Sequence, residues 1–114
     1  MRVLLDECVN AGVRAAFPGH AVRTVTQAGW SDSKDGPLLK FAEQNFDVFV
    51  TIDGTLERQN KLSALKLGVV IAHVPNNKLA SYEPLFRQLN AAAEKVTAGE
   101  VVHLGGELRY TPQQ

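Results

Sequence analysis

Apolar residues fall along this chain in short blocks, and the blocks differ in period. Residues 2–5 (RVLL) form an apolar run that stops at Asp6-Glu7. Over 9–17 (VNAGVRAAF), Val9, Val13, Ala16 and Phe17 recur at helical spacing, and Pro18-Gly19 ends the segment. Residues 20–27 (HAVRTVTQ) alternate Ala or Val with polar residues, the pattern of a strand. A polar loop follows at 28–36. In 37–46 (PLLKFAEQNF), Pro37 suits the first helical position, and Leu38, Leu39, Phe41 and Ala42 fit a helix. Residues 48–52 are β-prone and read as a buried strand. The stretch 54–67 is ambiguous, with a helical turn in TLERQ and a second short helix in LSALKL.

GVVIAHV at 68–74 reads as another buried strand, from its β-branched run. The longest amphipathic pattern spans 79–95, with Leu85, Phe86, Leu89, Ala92 and Ala93 on one side. Pro84 belongs in the first turn of such a helix, which sets its start near Ser81 or Tyr82. EVVHL at 100–104 reads as a strand. Gly105-Gly106 then form a two-residue turn between short extended pieces, a hairpin signal. Strands and helices thus alternate. This predicts an α/β fold in which a mostly parallel central sheet of about five strands carries helices on both faces. Residues 1–104 form one domain on this reading, and 105–114 a small C-terminal hairpin strand and tail.

Composition narrows the class. The chain has 114 residues, 45% of them hydrophobic and 21% charged, which suits one folded domain. Twelve basic residues balance twelve acidic ones. Nucleic-acid binding by bulk charge is therefore excluded, and a local patch would be needed. The lone Cys8 rules out an internal disulfide and suits a reducing cytosol. No run is long enough for a transmembrane helix. The start, MRVLLDECV, carries acids too early for a signal-peptide core. A cytoplasmic protein with no membrane partner is expected.

The candidate chemistry lies in acids at strand ends. In an open parallel sheet, ligands gather at the carboxyl ends of the strands. Asp6 and Glu7 follow the first strand, and Asp53 follows the third. Carboxylates converging there raise one another's pKa, and a hard divalent cation relieves the repulsion. Oxygen-only ligands suit Mg²⁺ or Mn²⁺. Asp6 and Asp53 are the expected metal pair. Each also fits a plainer role, because Asp caps helices and Asp53-Gly54 is a common turn dipeptide. Glu7 reaches the same rim only if the strand has already ended. Asp35 reads either as a fourth acid or as a helix N-cap, and Asp32 as a solvated loop residue. Arg58, Lys61 and Lys66 follow Asp53 closely, either to hold phosphates or as a solvated helix face. Thr51 reads as a site-orienting or a plain strand residue. His20, His73 and His103 lack metal spacing and read as edge or satisfied core imidazoles. Cys8 reads as a small buried residue, and Trp30 as packing.

The segments MRVLLDEC, TVTQAGWSDSKDGPLLKFA, FDVFVTIDGTLERQ and GVVIAHVPNNKL together resemble a short PIN-like family. The resemblance covers residues 1–104. It rests on the acidic pair after strand one, the GW…DG..LL..A segment and the T.D after strand three. It implies a three-layer α/β/α fold and a metal-dependent ribonuclease, often the toxin half of a toxin–antitoxin pair. It further implies Mg²⁺ or Mn²⁺ at an acidic cluster, RNA and an antitoxin protein as partners, and a homodimer. Carried over, the catalytic acids are Asp6, Glu7, Asp35 and Asp53, with Arg58, Lys61 and Thr51 toward the substrate. The chain departs from the fuller pattern at DGTLERQ, where many relatives have a second acid and an aromatic. Glu57 is the nearest substitute.

Two rival readings remain. One is a non-catalytic binding module on the same fold. The other is a phospho-receiver-like domain, which also places an acidic pair after strand one and an Asp after strand three. A receiver needs Ser or Thr after strand four and Lys after strand five. This chain has His73-Val74-Pro75 and His103-Leu104-Gly105 there.

Overall fold

The structure, a computed structural model, describes residues 1–106. Five strands are present among them: β1 (Arg2–Leu5), β2 (Ala21–Thr24), β3 (Val48–Thr51), β4 (Gly68–His73) and β5 (Val101–Gly105). They form a sheet in the order β2-β1-β3-β4-β5, and every pairing is parallel. Helices α1 (Asp35–Asn45), α2 (Leu56–Gln59), α3 (Leu79–Tyr82) and α4 (Phe86–Lys95) connect them, with 3-10 segments at Ala11–Ala16, Leu62–Ala64 and Glu83–Leu85. The chain is therefore an α/β protein whose sheet is flanked by helices, compatible with a three-layer arrangement. No helix among the described residues is long and apolar enough to cross a membrane.

The three inner strands, β1, β3 and β4, are almost wholly apolar because both their faces are covered. Alternate residues enter opposite cores. Val3, Leu5, Val48, Val50, Val70 and Ala72 face one, with Phe17, Tyr82 and Leu89. Leu4, Phe49, Val69 and Ile71 face the other, with Leu38, Leu39 and Phe46. Each fully buried Val, Leu, Ile or Phe among them contributes about 1.5–3 kcal/mol. Trp30 stacks on Phe41 at a centroid separation of 4.7 Å, which makes it part of the packing.

Three helical details differ from the sequence expectation. The 9–17 segment is a 3-10 helix rather than an α-helix, opened by the Asn10 side chain accepting the Gly12 N–H. α1 begins at Asp35, with Lys34 as N-cap. Pro37 is its third residue, where the absent N–H has no partner to lose. The 79–95 helix begins earlier than expected, at Leu79, and is interrupted at Glu83–Leu85. Pro84 explains the break, since it offers no N–H and its ring collides with the carbonyl four residues back.

At the amino ends of β1 and β3, Asp47 accepts the Arg2 backbone N–H at 2.7 Å and pairs with the guanidinium at 3.3 Å. The Arg2 N–H, then its side chain, holds the Asp47 carboxyl below its ordinary pKa. At the far edge, Gly105 closes β5 with φ +90°. A Cβ there would strike the His73 carbonyl oxygen. The second arm of the hairpin expected after Gly105-Gly106 lies outside the described residues.

Gly105→Ala is expected to cost about 1–3 kcal/mol, because it combines a left-handed φ with a backbone collision. Urea unfolding of the variant checks this. An unchanged midpoint would show that β5 does not close against β4 as described.

Candidate functional site

The sheet order reverses direction between β1 and β3. β2 lies on one side of β1, and β3, β4 and β5 on the other. Doubly wound sheets bind ligands at such a switch point, beyond the carboxyl ends of the strands. Asp6 and Asp53 stand there. The Asp6 N–H still bonds the Val50 carbonyl at 2.9 Å, so Asp6 lies level with Thr51.

Thr51 links the two acids. It is fully buried, and its hydroxyl donates to Asp6 Oδ2 at 2.7 Å while accepting the Asp53 N–H at 3.0 Å. The other Asp6 oxygen, Oδ1, accepts the Glu7 N–H at 2.8 Å. Asp53 Oδ1 accepts both the N–H and the hydroxyl of Thr55, at 2.9 and 2.7 Å. This turn starts the chain into α2. Thr51 therefore works on the acids and is closed off from solvent.

A cleft of about 300 Å³ opens over these groups, lined by Asp6, Glu7, Cys8, Ser33, Asp35, Leu38, Ile52 and Asp53. The four acids singled out in the sequence thus line one cleft. Among the described residues no Lys, Arg or His lines it. Glu7 reaches the rim because β1 ends at Leu5. Its carboxylate accepts the N–H of Asp32 at 3.1 Å, tying down a loop in which Asp32 has φ 61°. Asp35 is the first residue of α1 and caps nothing. Its Oδ2 accepts from Asn60 Nδ2 at 3.2 Å.

The donor set is all oxygen, and Asp53 Oδ2 and Asp35 Oδ1 have no hydrogen bond among the described residues. In chemistry these groups fit a hard cation such as Mg²⁺ or Mn²⁺. Among the described residues no three His, Cys, Asp or Glu side chains converge as a ready ligand set. Cys8 adds a thiol at the edge, its Sγ 3.5 Å from Asp6 Oδ2 and 3.6 Å from Thr51 Oγ1. Burial above all, with help from the Asp6 charge, pushes the thiol pKa up.

Arg58 and Lys61 do not line the acidic cleft. Arg58 is exposed on α2, and Lys61 lines a separate cleft with Glu57, Asn60, Leu62 and Ser63. Sequence proximity to Asp53 does not carry them into its lining.

The histidines form a group that reading each residue separately missed. His73 Nε2 meets His103 Nδ1 at 2.8 Å, and His103 Nε2 meets Glu57 Oε1 at 2.8 Å. The ring centroids are 5.1 Å apart with planes at 18°, so the rings lie edge to edge along an in-line hydrogen bond. An ionised Glu57 only accepts, which puts the His103 proton on Nε2. With His103 neutral, its Nδ1 accepts from the His73 Nε2–H. The signal available in the sequence was a His near the carboxyl end of each of two neighbouring strands. His20 separately bonds Glu94 at 2.8 Å.

Thr51→Val is expected to cost about 1–3 kcal/mol, since Asp6 Oδ2 and the Asp53 N–H both lose a partner. Thr51→Ser should restore most of it. Chemical denaturation of the three proteins checks the order. Alkylation of Cys8 by iodoacetamide should reach half-maximal rate above the ordinary thiol pKa of about 8.5. Asp6→Asn should move that midpoint down, because it removes the charge that opposes the thiolate. A rate profile against pH reads both.

Comparison of the chain with family models, curated proteins and solved structures gives no match.

Proposed function

We propose that this chain is a metal-dependent ribonuclease of PIN-like type, the toxin half of a toxin–antitoxin pair. It hydrolyses RNA phosphodiester bonds at the acidic cleft. The observation that carries this reading is that Asp6, Glu7, Asp35 and Asp53 line one cleft, with no basic side chain in its lining among the described residues. Carboxylates that line one cleft suit a hard cation better than an anion. Asp6 and Asp53 would hold it, with Glu7 or Asp35 completing the set. A bound Mg²⁺ or Mn²⁺ supplies an activated water and a counter-charge for the phosphate under attack. Thr51 keeps the two central carboxylates in place. The balanced net charge suits a selective RNA, or a cleft covered by an antitoxin protein. A homodimer and a cytoplasmic location belong to the same reading.

Two observations favour the rivals. Asp53 Oδ1 is engaged twice by Thr55 and both Asp6 oxygens are engaged, as in a purely structural turn; this is what a non-catalytic module on this fold would show. The strand order is also one that receivers share, but β4 ends at His73 and β5 at Gly105, without the Ser, Thr or Lys a receiver uses.

Incubation of wild type and Asp53→Asn with a mixed RNA pool in Mn²⁺ or Mg²⁺ decides among these. Cutting that needs the cation and falls at least a hundredfold in the variant supports the ribonuclease, as expected for loss of a group acting on the reacting phosphate. No cutting by either protein, together with no cation binding by calorimetry, selects the non-catalytic module. Stable phosphorylation of Asp53 by a small phosphodonor selects the receiver.

A further inference from the structure

A second, larger cleft shares the Asp6-Glu7 ridge with the acidic one. It measures about 560 Å³ and lies on the β2 side, where Arg14, Thr24, Thr26 and Gln27 join the ridge in its lining. Its polar groups are sorted by kind. Gln27 Oε1 accepts the Thr24 N–H at 2.9 Å and an Arg14 Nη2–H at 3.0 Å. Thr24 Oγ1 in turn accepts the Gln27 N–H at 3.0 Å. Two N–H donors on one atom fix which end of the Gln27 amide is oxygen. Its NH₂ end is left with no partner among the described residues. Arg14 directs one nitrogen to Gln27 and, at 3.5 Å, to the Val22 carbonyl, and has further N–H groups to spare.

On this wall Gln27 Oε1 and Thr24 Oγ1 are engaged internally, while the exposed Arg14 and Gln27 side chains keep unused donors, one of them cationic. A fixed donor pair with a guanidinium matches the oxygens of a phosphate. The volume falls within the range of small-molecule sites. The ridge opposes this, because Asp6 and Glu7 are negative. A divalent cation on Asp6 cancels the charge of Asp6 and Glu7 at the point where the two clefts meet.

We infer that this second cleft binds a phosphate of a nucleotide strand, with Arg14 and Gln27 as the binding residues. The identity of the strand as RNA rests on the ribonuclease reading, while the phosphate site itself does not. The strand then crosses the ridge, one phosphate on the Arg14 side and the next over the acids. Affinity rises with Mg²⁺, because the unneutralised ridge repels the ligand.

The test is a titration of adenosine 5′-monophosphate, with and without Mg²⁺, into wild type, Arg14→Gln and Gln27→Glu, read from amide and side-chain NMR shifts. Gln27→Glu keeps both Oε1 contacts and replaces the donor end by negative oxygen, so it reports on the ligand and not on the local fold. Shifts centred on Arg14 and Gln27, about tenfold weaker binding in Arg14→Gln and a larger loss in Gln27→Glu support the site. Absence of those shifts, or unchanged affinity in both variants, overturns it, even if wild type cuts RNA and Asp53→Asn does not. Equal affinity for inorganic phosphate overturns the nucleotide assignment. Binding that both variants weaken, in a protein that cuts no RNA, keeps the phosphate site and removes the ribonuclease reading.

Discussion

The Thr51 hydroxyl has one proton to give and lone pairs to receive with, and both are used at the rim. It gives the proton to Asp6 and receives the Asp53 N–H. Because Thr51 is fully buried in β3, its position is set by the sheet and not by solvent. The two carboxylates inherit that rigidity. Asp6 is held by its side chain, Asp53 by its backbone, and Asp53 Oδ2 stays outside the network. Buried polar links of this kind are strong because water does not compete for them.

Around that link the rim is divided by charge. The acidic cleft lies over β1 and β3, and the donor-rich cleft lies over β1 and β2. The Asp6-Glu7 ridge separates them. On the opposite side, the chain of His73, His103 and Glu57 joins β4, β5 and α2. Glycine at position 54 leaves His73 close by, since a Cβ there would sit 3.8 Å from its ring. These groups thus lie at the carboxyl ends of the strands, as the topology of a doubly wound sheet favours.

Much of this was legible in the sequence, for a physical reason. Strands covered on both faces are apolar at every position, so RVLL, VFVT and GVVIAH announce themselves, and the residues that follow them must lie at the rim. Asp6 and Asp53 could be paired on that basis alone. What stayed hidden depends on contacts between distant segments. Arg14 meets Gln27 only because a 3-10 helix and β2 lie side by side. His73 meets His103 only through the β4–β5 register, where Ile71 faces His103. Arg58 and Lys61 stand outside the lining of the acidic cleft for the converse reason: nearness along the chain is not nearness in space once a helix intervenes. The interruption at Pro84 was visible as a residue, but its place within the helix was not.

The two-sided burial of the strands has a consequence for how the chain finds its alignment. Where a sheet has one wet face, sliding a strand by one residue exposes apolar side chains, and solvent punishes the error. Here both faces of β1 and β3 are greasy. A slip would exchange Val3 and Leu5 with Leu4 between two equally apolar cores, with little change in hydrophobic energy. Discrimination comes from the fit of side-chain volumes in each core and from the polar groups at the two ends. Arg2 with Asp47 marks one end, and Asp6 with Thr51 marks the other. The same carboxylate that faces the cleft therefore also acts as an alignment mark for the sheet.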